Sequence, residues 1–131
     1  TELLRAHRSN PDKPLATMVV RNDPAVEEYG ALEIGERGRA VGFLGDRAPN
    51  TDPTNVARRM FTGIQLLERS IRDRMPPAGS VFSITRDTER AMVIAGEPIF
   101  SVEYFGYWND VGTPDRLDQA SNDICRIYPV P

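Results

Sequence analysis

The order of segment types along the chain predicts an α/β protein of three layers, a mixed sheet covered by helices, with part of that sheet antiparallel. Three observations predict it. Short β-branched and apolar runs alternate with stretches whose apolar residues recur at helical spacing. Two of the β-type runs flank the glycine-bounded turn Gly35-Glu36-Arg37-Gly38, which reads as a hairpin. The chain has 131 residues, 40% of them hydrophobic and 27% charged, which suits one soluble domain with a core of its own. No internal repeat or low-complexity segment divides it, so residues 1–131 read as a single domain.

Taken in order, Thr1 to Arg8 carries Leu3, Leu4 and His7 at helical spacing and stops before Asn10-Pro11, so it reads as the last turns of a helix. His7 reads as a surface or core-edge residue rather than a catalytic base. Pro11 to Pro14 is a loop. Leu15 to Arg21 is a mostly apolar run that suits a strand buried on both faces. Asn22-Asp23-Pro24 breaks it, and Ala25 to Tyr29 is too short to assign. Gly30 to Glu33 and Ala40 to Leu44 form the arms of the hairpin. Gly45 to Arg59, rich in Pro, Asn, Asp and Thr, reads as a loop long enough to cover a ligand.

Met60 to Leu66 reads as a strand. Leu67, Ile71 and Met75 then fall on one helical face until Pro76-Pro77 ends it. From Ser83 to Ala95, Ile84, Ala91, Met92 and Ala95 share a face while Arg86, Asp87, Glu89 and Arg90 lie off it, an amphipathic helix closed by Gly96. Ile99 to Phe105 is a strand. Leu117, Ala120 and Ile124 mark the buried stripe of a last helix, and the tail Tyr128-Pro129-Val130-Pro131 reads as loose.

Composition excludes several classes. A net charge of -3 argues against nucleic acid as a partner, because duplex binding needs a basic face. Nearly all the positive charge is arginine, with Lys13 the lone lysine. One cysteine, Cys125, can make neither an internal disulfide nor a multi-thiolate metal site. It reads as a reduced, half-buried helix residue, which fits a cytoplasmic location. No apolar run approaches the roughly 20 residues that span a bilayer, and no signal-peptide pattern is present, so no membrane partner is expected. The chain opens at Thr1 inside a helical pattern, which reads as a fragment or a processed piece.

The least ordinary chemistry is concentrated in Phe105-Gly106-Tyr107-Trp108-Asn109-Asp110-Val111-Gly112-Thr113-Pro114-Asp115-Arg116. An aromatic strand end runs into a carboxylate, a glycine permits a turn, and Thr113-Pro114 supplies an N-cap and a first-turn proline. Asp110 therefore stands at a strand-to-helix junction, where open α/β sheets bind ligands. From spacing alone, Asp110 is equally at home as a helix-entry carboxylate stabilised by the dipole. Trp108 reads as packing rather than ligand stacking, and Thr113 as a cap.

Three segments stand in one order: the strand LATMVV followed by Tyr29-Gly30 and the hairpin; Phe61-Thr62-Gly63-Ile64 followed by a helix and a double proline; and Tyr107-Trp108-Asn109-Asp110-Val111-Gly112-Thr113-Pro114. Together they resemble the C-terminal half of the sugar-1-phosphate nucleotidyltransferases, the mannose-1-phosphate guanylyltransferase-like family. The resemblance covers about Thr1 to Ile124, and W-x-D-V-G-T-P is its most specific motif. It implies the C-terminal part of a Rossmann-like nucleotidyltransferase fold, a single partial domain whose N-terminal, nucleotide-binding half lies outside these residues. The implied reaction joins a nucleoside triphosphate and a hexose 1-phosphate into a nucleotide-sugar and pyrophosphate, with GDP-mannose favoured by overall likeness. Such a displacement gathers negative charge around one phosphorus, so a divalent cation, Mg2+, is the implied cofactor. By the resemblance Asp110 is the catalytic, metal-holding carboxylate, and Gly30, Thr62 and Gly63 lie on the sugar side.

For Gly30 the alternative is a simple bend, and for Thr62 a β-branched strand residue. Many relatives carry Glu-Lys-Pro after the hairpin, the glutamate on sugar hydroxyls and the lysine on phosphate. Here Gly45-Asp46-Arg47-Ala48-Pro49 stands in its place, so Asp46 and Arg47 are the substrate-binding candidates, with a solvated loop pair as the alternative. Phe61 replaces an asparagine found in some relatives, removing one sugar contact. Two other classes remain open: a non-catalytic relative that senses nucleotide-sugar or regulates a partner enzyme, and an interaction domain with no small-molecule site.

A chain without the N-terminal strands of such a sheet exposes apolar strand surface and edges, which recruit another chain, a homo-oligomer among the outcomes. The isolated chain is therefore expected to self-associate in sedimentation velocity runs. Monodisperse monomer at high concentration contradicts that expectation.

Overall fold

A computed structural model of the protein describes residues 1–128. The element order is α1 (Glu2–Ser9), β1 (Ala16–Arg21), α2 (Val26–Tyr29), β2 (Ala31–Ile34), β3 (Ala40–Phe43), β4 (Asp46–Arg47), β5 (Ala57–Leu67), α3 (Arg90–Ile94), β6 (Ile99–Glu103) and α4 (Pro114–Ile127). The strands form one six-stranded sheet in the order β4-β3-β2-β5-β1-β6. β1 runs parallel to β6 and every other neighbouring pair is antiparallel, so the sheet is mixed as expected.

β1 is the apolar run ATMVVR, buried along nearly its whole length. Successive side chains of a strand point to opposite faces. Ala16, Met18 and Val20 join the main core with Leu32, Phe43, Ile71, Met92, Val93 and Ile99. Thr17, on the other face, meets α1. His7 of α1 is buried: its Nδ1 lies 2.8 Å from Thr17 Oγ1 and its Nε2 lies 3.1 Å from Glu68 Oε1. With the imidazole proton on Nε2, that nitrogen donates to the Glu68 carboxylate and Nδ1 accepts the Thr17 hydroxyl. His7 is thus a core-edge clamp between α1, β1 and the end of β5.

Several segments depart from expectation. β5 begins at Ala57, three residues earlier than the sequence suggested, and its start pairs with β2 through Ala57 opposite Ile34. The predicted loop from Gly45 also holds the two-residue strand β4. Leu67 belongs to β5, and the helix expected after it is a 3-10 segment, Arg69–Arg74, which still buries Ile71. Val26–Tyr29, too short to assign from sequence, is a single helical turn. On α4 only Ala120 is buried, while Leu117 and Ile124 are exposed, so the predicted stripe is uncovered among the described residues. Cys125 is exposed too, not half-buried, because it lies on the uncovered side of α4. Pro129 to Pro131 of the tail read as loose lie outside the described residues.

The largest departure is in the amphipathic segment after Ser83. Ile84–Glu89 forms a wide π turn, with the Arg90 N–H donating to the Thr85 carbonyl five residues back, and α3 continues from it. One extra residue in the turn rotates every later residue about the helix axis. Thr88, Glu89, Met92 and Val93 face inward, whereas Ala91 and Ala95 are exposed. Glu89, expected on the polar side, is completely buried. Its carboxylate oxygens, Gln65 Oε1 and Thr88 Oγ1 all lack a hydrogen bond of normal geometry. Burial pushes the Glu89 carboxyl above its ordinary range, opposed by the nearby Gln65 and Thr85 side chains.

A carboxyl that is easier to ionise in the unfolded chain makes stability fall as pH climbs from its ordinary value of 4.5 through the folded-state pKa. Replacing Glu89 with Met, which is apolar and of similar volume, removes that loss. The variant is expected to gain about 1–3 kcal/mol at neutral pH, with little change in acid. Urea unfolding across pH tests this, and parallel pH profiles for wild type and variant contradict it.

Candidate functional site

The candidate site is assembled where β5 bulges beside β1. Met18 pairs with Gln65 and Val20 with Phe61, so Thr62, Gly63 and Ile64 stand opposite Val19 alone. Gly63 takes φ +81°, in the region where a side chain is strained, with open space beside its Cα. The Thr62 hydroxyl donates to the Val19 carbonyl at 2.8 Å, tying the bulge to β1. On the other side of β1, β6 ends at Glu103, and the Tyr104 N–H still donates to the Val20 carbonyl at 2.7 Å. The chain then turns back across the bulge.

Trp108 makes that crossing. Its Nε1 donates to the Thr62 carbonyl at 3.2 Å, and its ring meets Tyr29 edge to face at a centroid distance of 5.9 Å. The Arg21 guanidinium lies 5.9 Å from the indole centroid. Trp108 therefore packs between three elements. Two residues on, Asp110 Oδ2 accepts from Arg116 Nη1 at 3.0 Å. Arg116 Nη2 donates to Glu28 Oε1 at 2.9 Å, and its guanidinium lies 5.2 Å from the Tyr29 ring centroid. Thr113 caps α4, accepting from the Arg116 N–H at 3.3 Å, with Pro114 in the first turn. The cap positions the first turn that carries Arg116. The hydrogen bond to Glu28 raises the Arg116 pKa, so it stays a cation.

Two adjoining clefts result. One, of about 350 Å³, is lined by Phe61, Thr62, Gly63, Trp108, Asp110 and the start of the π turn. The other, of about 370 Å³, is lined by Glu27, Glu28, Gly30, Gly45, Arg58 and neighbours. Tyr29, Leu44 and Arg86 border both. Thr62, Gly63 and Asp110 thus share one cleft and Gly30 lines the next. Gly30 has φ +87°, and a Cβ there would stand 2.3 Å from Leu44 Cδ2. Its lack of a side chain lets Leu44 pack over the backbone.

Asp46 and Arg47 are placed elsewhere. Arg90 binds Asp46 through Nε at 2.6 Å and also through Nη2. Arg47 Nη2 donates to Glu33 Oε1 at 2.7 Å, and its Nε to Oε2. Glu33 is buried. The hydrogen bond to Glu33 raises the Arg47 pKa. Neither Asp46 nor Arg47 lines the two clefts. Lining residues that sequence reading missed include Glu27, Glu28, Leu44, Arg58, Ser83, Thr85 and Arg86. The last three stand in the turn that Ser83 caps, and no composition signal places that turn at the cleft.

Among the described residues, no three His, Cys, Asp or Glu side chains gather as a metal site. Among the described residues, Asp110 Oδ1 accepts no hydrogen bond, while Oδ2 is held by Arg116. One carboxylate oxygen fits magnesium as a single ligand beside phosphate oxygens and water.

A family profile described as nucleotidyl transferase matches residues 1–127. The chain is 32% identical to a mannose-1-phosphate guanylyltransferase of Mycobacterium tuberculosis, over 99% of this chain and 34% of that protein. It is 28% identical to a glucose-1-phosphate adenylyltransferase of Ruminiclostridium cellulolyticum, over 98% of this chain and 30% of the relative. A valienol-1-phosphate guanylyltransferase of Streptomyces hygroscopicus subsp. limoneus is 26% identical, over 98% and 34%. The chain spans about a third of the length of these curated relatives. Among solved structures, a CMP:2-keto-3-deoxy-manno-octonic acid synthetase complexed with CTP superposes with a TM-score of 0.65 at 17% identity, over 96% of this chain and 55% of that one, a likeness of fold. No helix among the described residues is long and apolar enough to cross a membrane.

The two glycines make a paired test of the site's packing. Gly63→Ala strains only the backbone, at about 1–2 kcal/mol. Gly30→Ala carries that strain and displaces Leu44, so it is expected to cost more, about 2–3 kcal/mol, and to reshape both clefts. Chemical denaturation of the two variants measures the difference, and equal losses contradict the Leu44 contact.

Proposed function

The chain belongs to the nucleotidyl transferase family, and from that membership we propose that it is the sugar-binding part of a sugar-1-phosphate nucleotidyltransferase. The observation that carries the reading is the single cleft lined by Thr62, Gly63, Trp108 and Asp110, residues from two segments far apart in sequence. The substrates are a hexose 1-phosphate and a nucleoside triphosphate, and the products a nucleotide-sugar and pyrophosphate. The names of the relatives support a sugar-1-phosphate acceptor, and the higher identity to the guanylyltransferase favours mannose 1-phosphate and GTP. The triphosphate is held by an N-terminal half of the intact protein.

In the reaction a phosphate oxygen of the sugar 1-phosphate attacks the α-phosphorus of the triphosphate. The new P–O bond forms as the bond to the β-phosphate's bridging oxygen breaks, and pyrophosphate leaves with the electron pair. A bound magnesium ion supplies neutralisation of the charge that gathers on the phosphates. Asp110 would hold that ion through its carboxylate, and Arg116, donating to Oδ2, restrains the carboxylate at the cleft. The Arg116–Glu28 pair anchors that restraint to α2. Trp108 and Tyr29 form an apolar wall against which a sugar ring is oriented and water excluded. Because the Thr62 hydroxyl is engaged with Val19, the bulge contributes its exposed backbone around Gly63 to sugar recognition.

A second reading, a non-catalytic relative that senses nucleotide-sugar, is favoured by one observation: Arg47, in the place of the family's phosphate lysine, is committed to Glu33. Binding of nucleotide-sugar without turnover distinguishes it.

In the intact protein, Asp110→Asn is expected to lower kcat by about two orders of magnitude or more with unchanged thermal stability. Turnover with magnesium near the wild-type value removes Asp110 from the metal site.

A further inference from the structure

Of the two arginines that line the paired clefts, Arg58 is clamped by Glu27. Arg86 is exposed, and among the described residues its side chain makes no ion pair and no hydrogen bond; only its backbone N–H is engaged, donating to Ser83 Oγ at 3.3 Å. It borders both clefts, and so stands where they meet. We propose that Arg86, rather than Arg47, binds the phosphate of the sugar 1-phosphate. The assignment rests on reading the clefts as a sugar-1-phosphate site.

Charge argues for it first. Glu27, Glu28 and Asp110 bring three carboxylates to the clefts, and two guanidiniums answer them, Arg58 on Glu27 and Arg116 shared between Glu28 and Asp110, so one negative charge is left over. A phosphate dianion entering there meets net negative charge unless a further cation faces it. Arg86 is that cation, and its planar fork can hold two phosphate oxygens at once. It lines the same cleft as Asp110, so a phosphate it holds shares that cleft with the carboxylate that would hold the metal.

Commitment of the alternatives argues for it second. Arg47 can reach a phosphate only by leaving Glu33, whose side chain is 5% exposed and whose other cation, Arg58, is 3.8 Å away and already paired with Glu27. That departure strands a buried carboxylate. The Arg86 side chain has no ion pair to break among the described residues. The turn capped by Ser83 places it, since the Arg86 N–H donates to Ser83 Oγ and both residues line the cleft of Asp110.

The test measures affinity in the full-length protein for a panel of hexose 1-phosphates and the matching free hexoses, by calorimetry. Arg86→Ala is expected to melt with wild type, to bind hexose 1-phosphate roughly ten- to a hundredfold more weakly, and to leave free-hexose affinity unchanged. Arg86→Lys recovers part of the loss, because it restores the charge without the fork. Arg47→Gln lowers the melting temperature and leaves hexose 1-phosphate affinity within about twofold. Arg86→Ala with wild-type affinity overturns the assignment, as does an equal loss for sugar and sugar phosphate, which marks a purely structural role. A wild-type protein that binds no hexose 1-phosphate overturns the functional reading and the assignment together, and that outcome is distinct from the other two.

Discussion

β1 holds β5 on one side, antiparallel, and β6 on the other, parallel, and the candidate site exists because of that arrangement. The bulge in β5 is anchored to β1 by the Thr62 hydroxyl. The exit from β6 is anchored to the same strand by the Tyr104 N–H. With both ends held to one buried strand, the Trp108 indole can span from the β6 exit to the Thr62 carbonyl and bring Asp110 over the bulge. A slip in either register would send Asp110 away from Thr62 and Gly63, since one residue of shift exchanges the faces of a strand.

Around that frame the arginines divide into those that build the site and those left to act in it. Arg116 joins Asp110 to Glu28 and so ties the start of α4 to the turn before β2. Arg47 and Arg90 fasten β4, the short edge strand, to Glu33 of β2 and to α3. The Arg116 pairs take up carboxylates that would otherwise repel an anionic ligand at the clefts. Of the two arginines that line the clefts, Arg58 is paired with Glu27, so the position of Arg86, whose side chain has no ion pair among the described residues, acquires weight.

The segment after Ser83 joins two features: its capped first turn sets Arg86 at the cleft, and the widening that follows turns Glu89 inward and buries a carboxylate without a hydrogen bond of normal geometry. Local destabilisation at a site that handles ligand is a common pattern, because a conformation favoured for binding is seldom the most stable one.

Local sequence determined much of the fold. The apolar run at β1, the glycine-bounded hairpin, the Thr113-Pro114 helix start and the α/β alternation are short-range signals, and each is set by backbone sterics or by burial of a neighbouring side chain. The W-x-D-V-G-T-P motif likewise marked Asp110 as the residue to follow. Tertiary structure decided the rest. That Arg47 belongs to Glu33 and Asp46 to Arg90 depends on partners 14 and 44 residues away, and pairing at that range is set by strand register and helix docking rather than by neighbours in the chain. The inward turn of Glu89 and the exposure of Leu117 and Ile124 have the same origin. Periodicity says which residues share a face, but only the packed partners decide which face is covered.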